Sequence, residues 1–116
     1  MEATHADLTL NDYQQFALRT MADPTYNEKN IAVLSLGLTG ESGEFADNVK
    51  KVLGHGHQLD KDKLIKELGD VLWYAAGLAT VLGVSLGEVA QRNVDKLKAR
   101  YPEGFSSERS INRTDS

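Results

Sequence analysis

The chain has 116 residues, 41% of them hydrophobic and 26% charged, with a formal net charge of −4. That composition suits one globular domain and excludes a disordered chain, while the acidic balance argues against the basic face of a nucleic-acid binder. There is no cysteine, which excludes disulfides and zinc–thiolate sites and makes a reducing cytoplasm the simplest setting.

The N-terminal stretch MEATHADLTL has no apolar run and is not a secretory signal. The first helix is expected over about Leu10 to Met21, with Thr9 and Asp12 as a capping box and Tyr13, Phe16, Ala17 and Thr20 on one face. ADPTYN reads as a connection. The second helix is expected over Glu28 to Leu53, where Ile31, Leu34, Leu38, Phe45, Val49 and Val52 recur at helical spacing. Gly54 and Gly56 stop it, so GHGHQ is a turn. His55 and His57 make an H-x-H there, read as part of a solvated loop.

Asp60 caps the third helix, about 61 to 82, which is apolar nearly all round from Val71 to Leu82. Its run VLWYAAGLATVLGV is too short for a membrane span and reads as buried; Trp73 and Tyr74 fall in it as core aromatics. After Gly83, Ser85 and Glu88 form a capping box for a fourth helix over 86 to 100. Residues 1–105 therefore read as one helical domain, and 106–116 as a polar, frayed tail. The expected fold is all-α, a four-helix bundle-like protomer with short connections between antiparallel neighbours. Its core is small enough that self-association would help it.

Two acidic pairs stand out, Glu41 with Glu44 and Glu67 with Asp70, each three apart and so on one face of its helix. Like charges at that spacing repel, and the glycines among them cost a helix about 1 kcal/mol each. In an antiparallel hairpin, facing residues share one index sum. Glu41 with Asp70 and Glu44 with Glu67 have the same sum, and its midpoint falls between His55 and Gly56, inside the predicted turn. All four carboxylates then come level. Such a cluster calls for a counter-charge, and oxygen-only ligands suit Mg²⁺, with Mn²⁺ as a possible substitute. Gly37, Gly40, Gly43 and Gly69 would let the two backbones approach. The same arithmetic about Gly83 pairs Lys96 with Asp70 and Asn93 with Trp73, which sets an amide and an ammonium beside the acids, both suited to phosphate oxygens. Lys50, Lys51 and Arg100 are further cations within reach of a polyphosphate. Read plainly, an isolated E-x-x-E is a solvated face, Lys50 and Lys51 are surface charges, and Tyr13 and Gln14 are one core and one exposed residue.

GESGEFADNVKK followed by KELGDVLWYAAGLATVLGVSLGEVAQRNVDKLKARYPEGF resembles the MazG-like nucleoside triphosphate pyrophosphohydrolases. The family pattern is E-x-x-E, a spacer, E-x-x-D, then N-x-x-K on the next helix. It is matched by Glu41 and Glu44, Glu67 and Asp70, and Asn93 and Lys96. The resemblance implies an all-α fold assembled as a homodimer or homotetramer. It implies Mg²⁺-dependent hydrolysis between the α and β phosphates of a nucleoside triphosphate, giving a monophosphate and pyrophosphate. Glu41, Glu44, Glu67 and Asp70 carry over as metal ligands, with Glu41 or Glu44 as the catalytic base. Asn93 and Lys96 carry over as phosphate or metal-shell contacts, with Arg100 read as a further phosphate cation, and Tyr13, Gln14, Ala17 and Tyr74 match places that contact the base in relatives. The first helix has no tryptophan, which some pyrimidine-specific relatives place there, and the base is left open. Within the superfamily, dUTPase-like and phosphoribosyl-ATP pyrophosphatase-like activities are alternatives. Outside it, the rival is a non-catalytic helical nucleotide-sensing or interaction module. A di-iron bundle needs Glu-x-x-His, and no histidine lies three residues after a relevant glutamate.

Overall fold

A computed structural model describes residues 7–105 and 107–112. Its helices are α1 (Leu10–Leu18), α2 (Glu28–His55), α3 (Lys61–Val81), α4 (Leu86–Arg100) and α5 (Ser107–Ile111). Among the described residues there is no strand, only an isolated bridge between Pro102 and Gly104, and no single helix is long and apolar enough to cross a membrane. The expected all-α architecture is the one observed. The chain divides into two compact units, 1–86 and 87–116. The opening MEATHA and part of the expected tail lie outside the described residues, and α5 is a short helix where a frayed tail was expected.

The helix starts follow the capping chemistry. Asp12 N–H donates to Thr9 Oγ1 at 3.0 Å and Thr9 N–H to Asp12 Oδ2 at 3.4 Å, completing the capping box of α1. Asn27 caps α2 by accepting from Asn30 N–H at 2.8 Å, and Asp60 caps α3 by accepting from Lys63 N–H at 3.1 Å. The ends differ from expectation at two places. Instead of reaching Met21, α1 stops at Leu18, where Arg19, Thr20 and Met21 turn their N–H groups back on Phe16, Ala17 and Leu18 in a tightened last turn. Through Gly54, α2 continues to His55, and it is Gly56, at φ 72°, that breaks it; the N–H groups of Gly56 and His57 both return to the Lys51 carbonyl. Only a residue at ease with positive φ fits that cap.

The unit 1–86 is a hairpin of α2 and α3 with α1 laid on the C-terminal half of α3. Ala17, Ala76, Ala79 and Leu86 form the buried cluster, with Tyr13, Trp73 and Val84 packed against it. Gln14, expected on the exposed side, is buried among these groups at 6% exposure. Its Nε2 donates to Thr80 Oγ1 and to the Val84 carbonyl, both at 3.1 Å, and its Oε1 accepts from Leu86 N–H at 2.7 Å. One side chain thus joins α1 to α3 and satisfies the backbone of the turn that leaves α3. A second tie is Trp73 Nε1, which donates to Thr20 Oγ1 at 2.8 Å.

Where α2 meets α3, the pairs Leu34 with Gly77 and Gly37 with Tyr74 are in contact. The Leu34 methyls lie 3.5 and 3.8 Å from where a Cβ on Gly77 would stand, and a Cβ on Gly37 would overlap the Tyr74 ring. Both pairs have the same index sum as Glu41 with Asp70, so the hairpin holds the register expected from the sequence. Gly37 serves the close approach expected of it. Gly40, Gly43 and Gly69 do not: a Cβ on any of them would meet nothing within 4 Å.

Replacing Gln14 by Ala leaves the buried Leu86 N–H without its acceptor and should lower stability by about 1–3 kcal/mol in urea unfolding. Gly37→Ala should also destabilise, because the overlap with the Tyr74 ring outweighs the gain of about 1 kcal/mol in helix propensity. In the double variant Gly37→Ala/Tyr74→Ala the penalty of the alanine at 37 should largely vanish, read as a coupling energy.

Candidate metal and phosphate site

In α2, one turn past the contact between Gly37 and Tyr74, Glu41 faces α3. One ligand oxygen from each of Glu41, Glu67 and Asp70 lies within 4.8 Å of the others. Glu41 and Glu67 are half-buried and Asp70 is exposed, so the cluster opens to solvent on the Asp70 side. The helices reach this point without gaps because Gly37 and Gly77 let them close one and two turns away. The geometry brings together three of the four expected acids. Glu44 stands beside them, exposed, on the rim of a cleft of about 340 Å³ that it shares with Glu67.

The electrostatics agree with crowding. Burial, then the charges of Asp70, Glu44 and Glu67, push the Glu41 carboxyl above its ordinary range. The Tyr13 phenol is raised too, first by burial and second by the charge of Asp70. Tyr13 therefore sits between the α1–α3 core and the acidic site. The donor set fits a hard divalent ion. All three ligands are carboxylates, the oxygen donors that Mg²⁺ and Mn²⁺ prefer.

The other expected site residues fall into three groups. Tyr74 is half-buried, its ring against Gly37 and edge-on to Trp73, with centroids 4.9 Å apart and planes at 84°. Gln14 and Ala17 are both buried in the core, with Gln14's amide hydrogen-bonded inside the chain. Asn93 and Lys96 are exposed on α4 and Arg100 is half-buried at its end, all in the unit 87–116. His55 and His57 stack edge-on at 6.4 Å in the exposed turn, and His57 lines a second cleft of about 310 Å³. Sequence reasoning missed Asn48 and Lys63, which line both clefts together with Lys51. The signal was available, since Asn48 with Lys63 continues the index sum of the acidic pairs.

A family model described as MazG nucleotide pyrophosphohydrolase domain matches residues 29–105, which covers α2, α3, α4 and the segment up to Phe105. The chain belongs to the MazG nucleotide pyrophosphohydrolase family. A curated relative, the Gene 37 protein of Mycobacterium phage L5, is 45% identical over 80 residues, 66% of this chain and 70% of that protein. No solved structure matches the chain significantly. The acidic hairpin lies within the matched residues, and α1 with its Gln14 lies outside them.

Burial and the neighbouring carboxylates raise the Glu41 carboxyl, so protons compete with the ion for this ligand as pH falls. Mg²⁺ or Mn²⁺ should raise the thermal midpoint at neutral pH, and the gain should shrink as pH falls through the carboxylate range. In Glu67→Gln the metal-dependent gain should be lost while the metal-free midpoint rises or holds, since one of three crowded charges is gone. Differential scanning fluorimetry with and without the ion reads both.

Proposed function

We propose that this chain is a Mg²⁺-dependent nucleoside triphosphate pyrophosphohydrolase that cleaves between the α and β phosphates, releasing a nucleoside monophosphate and pyrophosphate. The observation that carries the proposal is the convergence of Glu41, Glu67 and Asp70 within 4.8 Å inside the segment that matches the family. Glu41, Glu67 and Asp70 would hold the ion, with Glu44 completing the set from the cleft rim. Bound there, Mg²⁺ would supply charge neutralisation for the phosphate oxygens and a Lewis acid at the reacting phosphorus.

The chain's own groups divide the remaining work. Of Glu41 and Glu44, the exposed Glu44 on the cleft rim is assigned the general-base role toward the attacking water. Asn93 and Lys96, with Arg100, are assigned to phosphate oxygens, an amide and two cations of the type that suit them. Tyr13, whose phenol is influenced by Asp70, and Tyr74, one turn past Asp70 on α3, are assigned to the nucleoside end. We assign assembly as a homodimer or homotetramer. It is supported by exposed apolar side chains on the outer faces of α2 and α3, among them Leu36 at 73% and Leu68 at 58%, which are more than scattered surface hydrophobes.

With Mg²⁺ and a panel of nucleoside triphosphates, the protein should release pyrophosphate and the matching monophosphate. Glu44→Gln should lower kcat by about 10²-fold or more with helical circular dichroism unchanged. Absence of pyrophosphate from every nucleotide would instead support a non-catalytic nucleotide-binding module.

A further inference from the structure

The cleft beside the carboxylates is not acidic along its length. From Glu44 and Glu67 it passes to Asn48, Lys51 and Lys63, and these three also line the second cleft, which runs on to the α2–α3 turn. Lys63 precedes Glu67 by one helical turn, about 6 Å of rise, and Lys51 follows Glu44 by two turns, about 10 Å. The two lysines lie on opposite helices and line the same groove. Lys51 is steadied by Asp47 at 3.1 Å, and both of those side chains remain about half exposed. Asn48 Nδ2 donates to the Glu44 carbonyl at 2.9 Å, which ties the amide to the backbone of the acidic turn. The first cleft therefore carries Glu67, a member of the carboxylate cluster, and Glu44 toward one end and Lys63 and Lys51 toward the other, with Asp47 beside Lys51.

Resting on the proposed activity, we infer that Lys51 and Lys63 form the subsite for the leaving pyrophosphate, the β and γ phosphates of the substrate. A substrate whose α phosphate lies at the carboxylates would extend its next phosphates along the cleft, away from Asp70 and toward Lys63 and then Lys51. Water adds its oxygen to the α phosphorus and the bond from that phosphorus to the α–β bridging oxygen breaks. The bridging oxygen and its electron pair leave with pyrophosphate, and the proton lost by water passes to the base. Charge grows on the bridging oxygen and the departing phosphates as that bond breaks, and two nearby ammonium groups stabilise it. The same subsite makes the groove select a nucleotide with a distal phosphate chain over a monophosphate, whose charge ends at the acidic side.

The test is kinetic and binding work on Lys51→Ala, Lys63→Ala and the double variant, with Lys66→Ala as a control, since Lys66 is exposed on α3 and does not line the groove. Mn²⁺ affinity should be unchanged by electron paramagnetic resonance, because the carboxylates are intact. KM for the triphosphate should rise about 10-fold in each single variant, inhibition by inorganic pyrophosphate should weaken in step, and Lys63→Arg should restore much of the loss. Wild-type KM and pyrophosphate inhibition in the double variant would overturn the assignment, as would an equal effect in Lys66→Ala. If the wild-type protein turns over no nucleotide, the proposed activity fails but the subsite is still decided. Calorimetric binding of inorganic pyrophosphate to the Mn²⁺-loaded protein, lost in the double variant, would support it, and binding unchanged by the two substitutions would overturn it.

Discussion

The closeness of α2 to α3 at Gly37 governs the site. The Tyr74 ring occupies the volume that any side chain at 37 would need, and this contact fixes the helices in one axial register. Slipping α3 by a single position would rotate its residues by about 100° and move Glu67 and Asp70 off the face that meets α2. The Leu34 contact on Gly77 enforces the same register a turn further along. Packing of an apolar kind thus assembles a cluster of like charges, and burial together with those neighbours raises the Glu41 carboxyl. The favourable contacts lie at one end of the hairpin and the unfavourable ones in the middle, as expected of a site that keeps strain for a ligand to relieve.

The sequence made the hairpin legible because its features are periodic. The acidic pairs, the apolar positions of α2 and the glycine-rich turn all follow from spacing, and one index sum describes the pairs Leu34–Gly77, Gly37–Tyr74 and Glu41–Asp70. Capping residues were legible for a similar reason: Thr9, Asp12 and Asp60 act on neighbours a few positions away, so local chemistry decides them. Gln14 was not legible. A glutamine in a surface-type pattern reads as exposed, and its partners Thr80, Val84 and Leu86 are distant in the chain. The available hint was its place one turn before Ala17 on the face that is buried. The end of α2 was misjudged by two residues because Gly54 and Gly56 are the same residue type, and only their φ angles distinguish a tolerated helical glycine from a cap. The glycines at 40, 43 and 69 were given a role in backbone approach that the protomer itself does not use.

Membership of the MazG nucleotide pyrophosphohydrolase family and the acidic hairpin are independent lines that meet on the same residues. The family match begins at residue 29, at the start of α2. The element that precedes it, α1, is held by a buried amide, a tryptophan hydrogen bond and alanine packing. It supplies Tyr13, whose phenol feels the charge of Asp70. The acidic hairpin thus lies inside the segment that matches the family, and α1, which packs on α3, lies outside it.

The centre of the protomer is made of small groups. Ala17, Ala76, Gly77 and Ala79 are buried, and among the described residues no large side chain is fully enclosed. Unfolding such a centre wets little new hydrocarbon, so the heat-capacity increment of an isolated protomer falls below the usual value of about 12–15 cal/mol/K per residue. Its stability curve is then shallow. Warming and cooling alter the folded population of an isolated protomer only slightly.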